Sequence, residues 1–169
     1  MKKSFVVLCV VVLCVGCASS THYDFSFDEN KSIVKTKYYE AKISIRSTGG
    51  LFPMNSYKLD IINLSDKDIE IDWNKTQFII NGQTDGGFMF EGVRYVAREN
   101  VKNPSFVLAK SSFSKFIYPN YLVSYYLRGW RNMTIPDGET GVLVTLKIGN
   151  NEVREKLFIT KVTKIVPNI

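Results

Sequence analysis

Residues 57–83, "YKLDIINLSDKDIEIDWNKTQFIINGQ", decide the fold. Within them Ile69, Ile71 and Trp73 alternate with Asp68, Glu70 and Asp72. Leu59 and Ile61 precede them at the same spacing, and Phe78 and Ile80 follow. A period of two sends successive side chains to opposite faces of a strand, so one face meets a core and the other meets water. Antiparallel sheets covered on one side read this way. The alternation also makes Trp73 a core residue, on the face of Ile69 and Ile71. The stretch closes in Asn81-Gly82, a pair suited to the positive backbone angles of a tight hairpin.

The same signal spreads outward. In "YEAKISIR" (39–46) Tyr39, Ala41, Ile43 and Ile45 alternate with polar residues. Val93 and Tyr95 continue the pattern, then Val144, Leu146 and Ile148, then Leu157 and Ile159. Gly49-Gly50, Asp85-Gly86-Gly87 and Pro136-Asp137-Gly138 punctuate these runs with turn chemistry. Gly149-Asn150-Asn151 reads as the hairpin between the last two strands. Residues 121–131, "YLVSYYLRGWR", read equally as a short helix or a strand. No segment sustains a helical period. The sum predicts an all-β chain: one antiparallel β-sandwich of about seven to nine short strands over residues 33–169.

Residues 57–83 also resemble the first half of the immunoglobulin-like sandwich found in many small bacterial lipoproteins. There a strand ends in Asn-x-Ser, a charged turn follows, and the next strand carries an aromatic before an "NG" turn. Asn63-Leu64-Ser65, Trp73 and Asn81-Gly82 hold those places here. "SSFSKFIYP" (111–119) and "GVLVTLKIGNNEVREKLFITKV" (141–162) resemble the later strands. The resemblance implies the immunoglobulin-like fold. It carries no antibody or receptor role, because the cysteine pair of antibody-type domains is missing, and such sandwiches share a fold far more than a function.

The first residues read as an address. Met1-Lys2-Lys3 precedes an apolar run from Phe5 to Val15, about half of the roughly 20 residues needed to cross a bilayer as a helix. A basic start, a short apolar run and a small-residue exit match a secretory signal peptide. Cys9, Cys14 and Cys17 all lie here. "LCVGCASS" (13–20) resembles a bacterial lipobox, with Gly16 before Cys17 and a departure at Cys14, where leucine is usual. The resemblance implies a signal peptide over residues 1–16 and lipidation of Cys17 by palmitate-type acyl chains. Residues 17–32, "CASSTHYDFSFDENKS", would then be a polar tether. Ala18 after the cysteine implies an outer-membrane address, facing the periplasm. The rival reading is ordinary secretion, with cleavage after Ala18.

Composition narrows the chemistry. The 169 residues carry 22 Lys and Arg against 16 Asp and Glu, and Lys2 and Lys3 belong to the leader. So small an excess, on a chain addressed to an envelope, argues against a nucleic-acid partner. With no cysteine after Cys17, stability must come from the core. His22 is the single histidine, which makes a nucleophilic triad hard to build and leaves a serine–lysine dyad open but without a motif. With Asp24 and Asp28 it lacks zinc-site spacing, and a polar tether is the reading. Asp66, Asp68, Glu70 and Asp72 read as a turn and the wet face of a strand rather than paired catalytic carboxylates. "GGFMFEG" (86–92) has glycines but no phosphate-binding lysine. We expect no catalytic residue, no metal and no cofactor.

One segment invites a function. "FIYPNYLVSYYLRGWRNM" (116–133) gathers five tyrosine and tryptophan residues with Arg128 and Arg131. These residue types are enriched where proteins grip partners, although a sandwich core would absorb part of such a set. Tyr121, Tyr126, Arg128, Trp130 and Arg131 are the expected partner-binding residues, with Arg128 to Arg131 in a loop. The expectation is a non-enzymatic, lipid-anchored envelope protein, a binding or accessory module for an envelope protein or glycan. Two alternatives stand beside it: an inhibitory lipoprotein that blocks an envelope receptor or enzyme, and a small hydrolase acting on envelope polymers.

Overall fold

Alternation along the chain becomes fourteen strands among the residues that the computed structural model describes, 20–26, 29–47, 55–126 and 129–166. They are β1 (Ser20–Ser26), β2 (Ile33–Lys35), β3 (Tyr39–Ser47), β4 (Asn55–Asn63), β5 (Ile69–Ile71), β6 (Gln77–Ile80) and β7 (Gln83–Thr84). Then follow β8 (Phe88–Phe90), β9 (Ser105–Val107), β10 (Ser112–Pro119), β11 (Val123–Tyr126), β12 (Gly129–Asn132), β13 (Gly138–Ile148) and β14 (Asn151–Val166). One helical turn, α1 (Glu29–Ser32), joins β1 to β2, and 3-10 turns occupy Tyr95–Ala97 and Asn120–Leu122.

Two antiparallel sheets form the sandwich. One has the order β2-β3-β4-β10-β8 and the other β1-β14-β13-β5-β9, with β6 sharing the β5 side of β13 and β7 beyond it. In the lettering of immunoglobulin constant-type domains, β3, β4, β10 and β8 stand as A, B, E and D. β14, β13 and the β5–β6 pair stand as G, F and C. The departures from that order are β9, which follows D in the chain yet lies beside β5, and the added edge strands β1 beside β14 and β2 beside β3.

The inward faces meet as the alternation requires. Ile43, Leu59 and Ile61 from one sheet oppose Ile71, Val144 and Leu146 from the other, all fully buried. Tyr57 crosses the gap: its ring lies 6.1 Å from Phe78, and its hydroxyl shares a 2.5 Å hydrogen bond with Thr140 Oγ1. Burial pushes the Tyr57 phenol pKa well above its ordinary value. Trp73 is buried as expected, edge-on to Phe90 at 4.7 Å, and its Nε1 donates to Ser105 Oγ at 2.9 Å. Lys115 Nζ stands 4.0 Å over the Phe90 ring, where desolvation lowers its pKa.

Close approach and turn geometry fix the glycines that matter. A Cβ on Gly141 of β13 would lie 2.2 Å from the Leu157 carbonyl oxygen of β14, so only glycine fits there. Asn81 and Gly82 both have positive φ (52° and 74°) and join Ile80 to Gln83 as a two-residue hairpin.

Three expectations need correction. The segment expected as a polar tether contributes β1, which pairs Ser20–Ser26 with the final residues of β14. β14 stands between β13 and β1: Thr160 and Lys161 pair with Glu139 and Gly138 on one side and with Ser26 and Phe25 on the other, so β1 occupies the edge of β14 that β13 does not cover. Val93 and Tyr95 do not continue the strands. Tyr95 opens a 3-10 turn. The strand count exceeds nine because the C strand is broken in two and short edge pairs are added. Gly49-Gly50 and Cys17 lie outside the described residues.

Trp73→Ala should cost about 3–5 kcal/mol, since it removes a large buried side chain and strands the Ser105 hydroxyl. Glu70→Ala, on the outward face of β5, should leave the thermal melting curve nearly unmoved. Equal melting temperatures for wild type and Trp73→Ala would refute the assigned register.

Candidate functional site

Strand register divides the functional side chains between the two ends of the sandwich. Tyr39 pairs with Asn63 and Ile69 with Ile148, so Tyr39, Asn63 and the β13–β14 hairpin gather at one end. Pro119, Gly138 and Ile80 gather at the other.

The aromatic segment lies at the second end. After Pro119 the 3-10 turn swings the chain out of the sheet, and β11 and β12 then form a separate hairpin with Val123 opposite Asn132 and Tyr125 opposite Trp130. Residues 121–131 are therefore mostly strand, and Gly129, Trp130 and Arg131 lie in β12 rather than in a loop. Arg128 falls outside the described residues, as do the side chains of Tyr126 and Trp130. The 3-10 turn breaks strict alternation: consecutive Leu122 and Val123 are both buried, while Tyr121 and Tyr125 are exposed.

Tyr121 is rooted by a stacked contact with Phe78, ring centroids 6.4 Å apart and planes 26° apart. Tyr125 lies 5.7 Å from Tyr95, whose ring carries the Arg98 guanidinium 4.1 Å above it. Buried Asn120 ties these parts together, its Nδ2 donating to the Arg98 carbonyl at 3.1 Å and Glu99 Oε2 at 3.0 Å. Arg94, Tyr95, Val96, Tyr125 and Gly129 line an open hollow of about 520 Å³. Arg131 is exposed on the hairpin. Sequence reading missed Tyr95 and its arginines. Their signal was Arg94 and Arg98 set four apart around an aromatic, which a strand assignment hid.

The first end holds a larger cleft, of about 790 Å³, that sequence reading did not anticipate. It opens between the β2–β3 turn, the β4–β5 turn and the β13–β14 hairpin. Leu64, Ile148 and Val153 supply apolar wall. On its floor the buried Tyr39 hydroxyl donates to Glu155 Oε1 at 2.5 Å. Burial and that carboxylate both push the Tyr39 pKa well above the usual phenol range. The signal for Glu155 was its parity with Val153, Leu157 and Ile159, which marks it as facing inward.

Asn63 holds the border of this cleft. Its Nδ2 reaches the carbonyls of Lys67, Val107 and Leu108 at 2.8–3.0 Å, and its Oδ1 accepts from the Ser65 amide and hydroxyl. One buried amide thus shapes the B–C turn and fastens it to β9. Among the described residues no three His, Cys, Asp or Glu side chains gather in a way that could hold a metal ion.

Searches against family models, curated proteins and solved structures returned no match to this chain.

Asn63→Ala should cost about 2–3 kcal/mol, because it leaves several inward carbonyls without their donor. Hydrogen exchange should rise at β9 and in the turn at 64–67. Retained protection there would show that the amide does not organise this corner.

Proposed function

We propose that the chain is a non-enzymatic binding module of the cell envelope, anchored by lipid at Cys17, that grips a protein partner through its aromatic end. The observation that carries the reading is the exposure of Tyr121 and of Tyr125, the latter beside Tyr95 and its Arg98. Tyr121 is 57% exposed and Tyr125 63%, yet their rings rest on Phe78 and Tyr95. Tyrosine and arginine held on a packed base offer large contact area at small entropy cost. Neighbouring Val96, 78% exposed, adds an apolar centre.

The anchor rests on the basic start, the apolar run and the lipobox-like exit at residues 1–17. Two or more acyl chains would hold such a protein stably at a bilayer where one would not. Strand β1 begins three residues after Cys17, which would keep the sandwich close to its anchor. The only histidine, His22, lies in β1, which favours binding over acid–base catalysis as the role of this domain.

Cys17→Ala should shift the protein from the membrane fraction to the soluble or precursor fraction. A mature protein beginning at Ser19 and carrying no acyl mass would defeat the anchor.

For the aromatic surface, the intact protein should be crosslinked in envelopes and its captured partner identified by mass. Tyr125→Ala with Arg98→Ala should reduce that capture at least tenfold while leaving the melting temperature within a few degrees. Undiminished capture of the same partner would remove this surface from the binding role.

A further inference from the structure

We infer that the cleft at the opposite end binds a short zwitterionic peptide-like ligand: an ammonium at Glu155, a carboxylate between Lys37 and Lys67, and an apolar body against the wall between them. The inference goes beyond the partner surface proposed above and does not depend on it.

The first argument is the misplaced charge. In β14 the inward parity runs Val153, Glu155, Leu157, Ile159, and Leu157 and Ile159 are buried core. A sandwich sealed for stability alone would carry an apolar residue at position 155. Instead a carboxylate faces the gap between the sheets. Tyr39 satisfies one of its oxygens, and a carboxylate has about four lone-pair sites to offer. The remaining acceptor capacity borders the cleft, which Glu155 lines. Local breaks in a consistent pattern are where functional sites are expected.

The second argument is complementary charge on the rim. Lys37 and Lys67 both line the cleft. Neither has a carboxylate partner among the described residues, whereas the adjacent Asp66 is already paired with Lys110 at 3.1 Å. Lys37 Nζ rests instead 4.8 Å from the ring of Tyr38. Lys67 reaches over the hairpin, where a Cβ added to Gly149 would lie 3.8 Å from its Nζ. The cleft is therefore lined by one carboxylate, by two lysines with no carboxylate partner among the described residues, and by Leu64, Ile148 and Val153. A ligand bearing only an anion would meet Glu155 unfavourably, and one bearing only a cation would meet the lysines unfavourably. A zwitterion with an apolar middle satisfies all three. The volume of about 790 Å³ accommodates several residues of peptide.

The test uses the full chain in detergent and three probes that differ only at their ends: trileucine with both termini free, N-acetyl-trileucine, and trileucine amide. Amide chemical-shift changes and calorimetry read the binding. Trileucine should bind, with shifts centred on residues 36–39, 64–67 and 148–155, and each blocked probe should bind at least about tenfold more weakly, as loss of one charged hydrogen bond implies. Glu155→Gln should erase the preference for the free amine while retaining the preference for the free carboxylate. Lys37→Ala with Lys67→Ala should do the reverse. Both variants alter groups at the cleft surface, and melting temperatures near wild type verify that they fold. The inference is overturned if none of the probes binds at millimolar concentration, if all three bind alike, or if the shifts fall outside the cleft.

Discussion

The fold depends on a backbone amide that its own sheet cannot satisfy. β13 is paired with β14 along its whole length, but on its other side the C strand leaves the ladder at Asp72 and returns at Gln77. The Thr145 amide falls opposite that gap, fully buried. Thr76 supplies the missing acceptor: its Oγ1 takes the Thr145 N–H at 3.1 Å and donates to the Asp72 carbonyl at 2.8 Å. The Thr145 hydroxyl answers by donating to the Lys75 carbonyl. A buried amide left unpaired costs on the order of a whole hydrogen bond and more, so this exchange is what lets the strand break. The break in turn sets Trp73 between the sheets, where it meets Phe90 and reaches Ser105 at the start of β9.

From that centre the gap between the sheets closes differently at its two ends. Toward the aromatic end Tyr57 spans to Thr140 with a neutral, fully buried hydroxyl pair. Toward the other end Tyr39 spans to Glu155, a carboxylate. The geometry of the two tyrosines is alike, since each leaves the A–B side and hydrogen-bonds an F or G strand. Their partners are not. Threonine makes a dry seal, whereas a carboxylate keeps its solvation only if the space beside it stays open. The cleft is that space, and the Asn63 corner holds its lip in place.

At the aromatic end the decisive local event is one 3-10 turn. Had residues 119–126 continued as strand, Val123 would have shared a face with Tyr121 and Tyr125 by strict parity. The turn at Asn120–Leu122 puts Leu122 and Val123 inward together and leaves Tyr121 and Tyr125 outward, each leaning on another ring. Asn120, buried at the pivot, links the turn to the second 3-10 segment that carries Tyr95 and Arg98. Exposure of the tyrosines is thus a consequence of backbone geometry and not of composition.

Alternation alone determined that the chain is an antiparallel sandwich, that Ile69, Ile71 and Trp73 face inward while Glu70 faces out, and that Asn81-Gly82 and Gly149-Asn150 turn hairpins. Those features follow from a two-residue period and from positive-φ chemistry, both local and therefore written in neighbouring residues. Tertiary structure decided what depends on distant partners. β1 is a strand because β14, paired with β13 on one side, offers its other edge, a fact held more than a hundred residues away. Tyr95 is no strand residue because its neighbourhood packs against Asn120 and Tyr125. Glu155 shares the parity of a core residue in the sequence, but whether such a carboxylate is buried, paired or facing a cleft depends on where Tyr39 and the 64–67 turn come to rest. Pairing across sheets carries no local signature, so the sites built from it emerge only once the chain is folded.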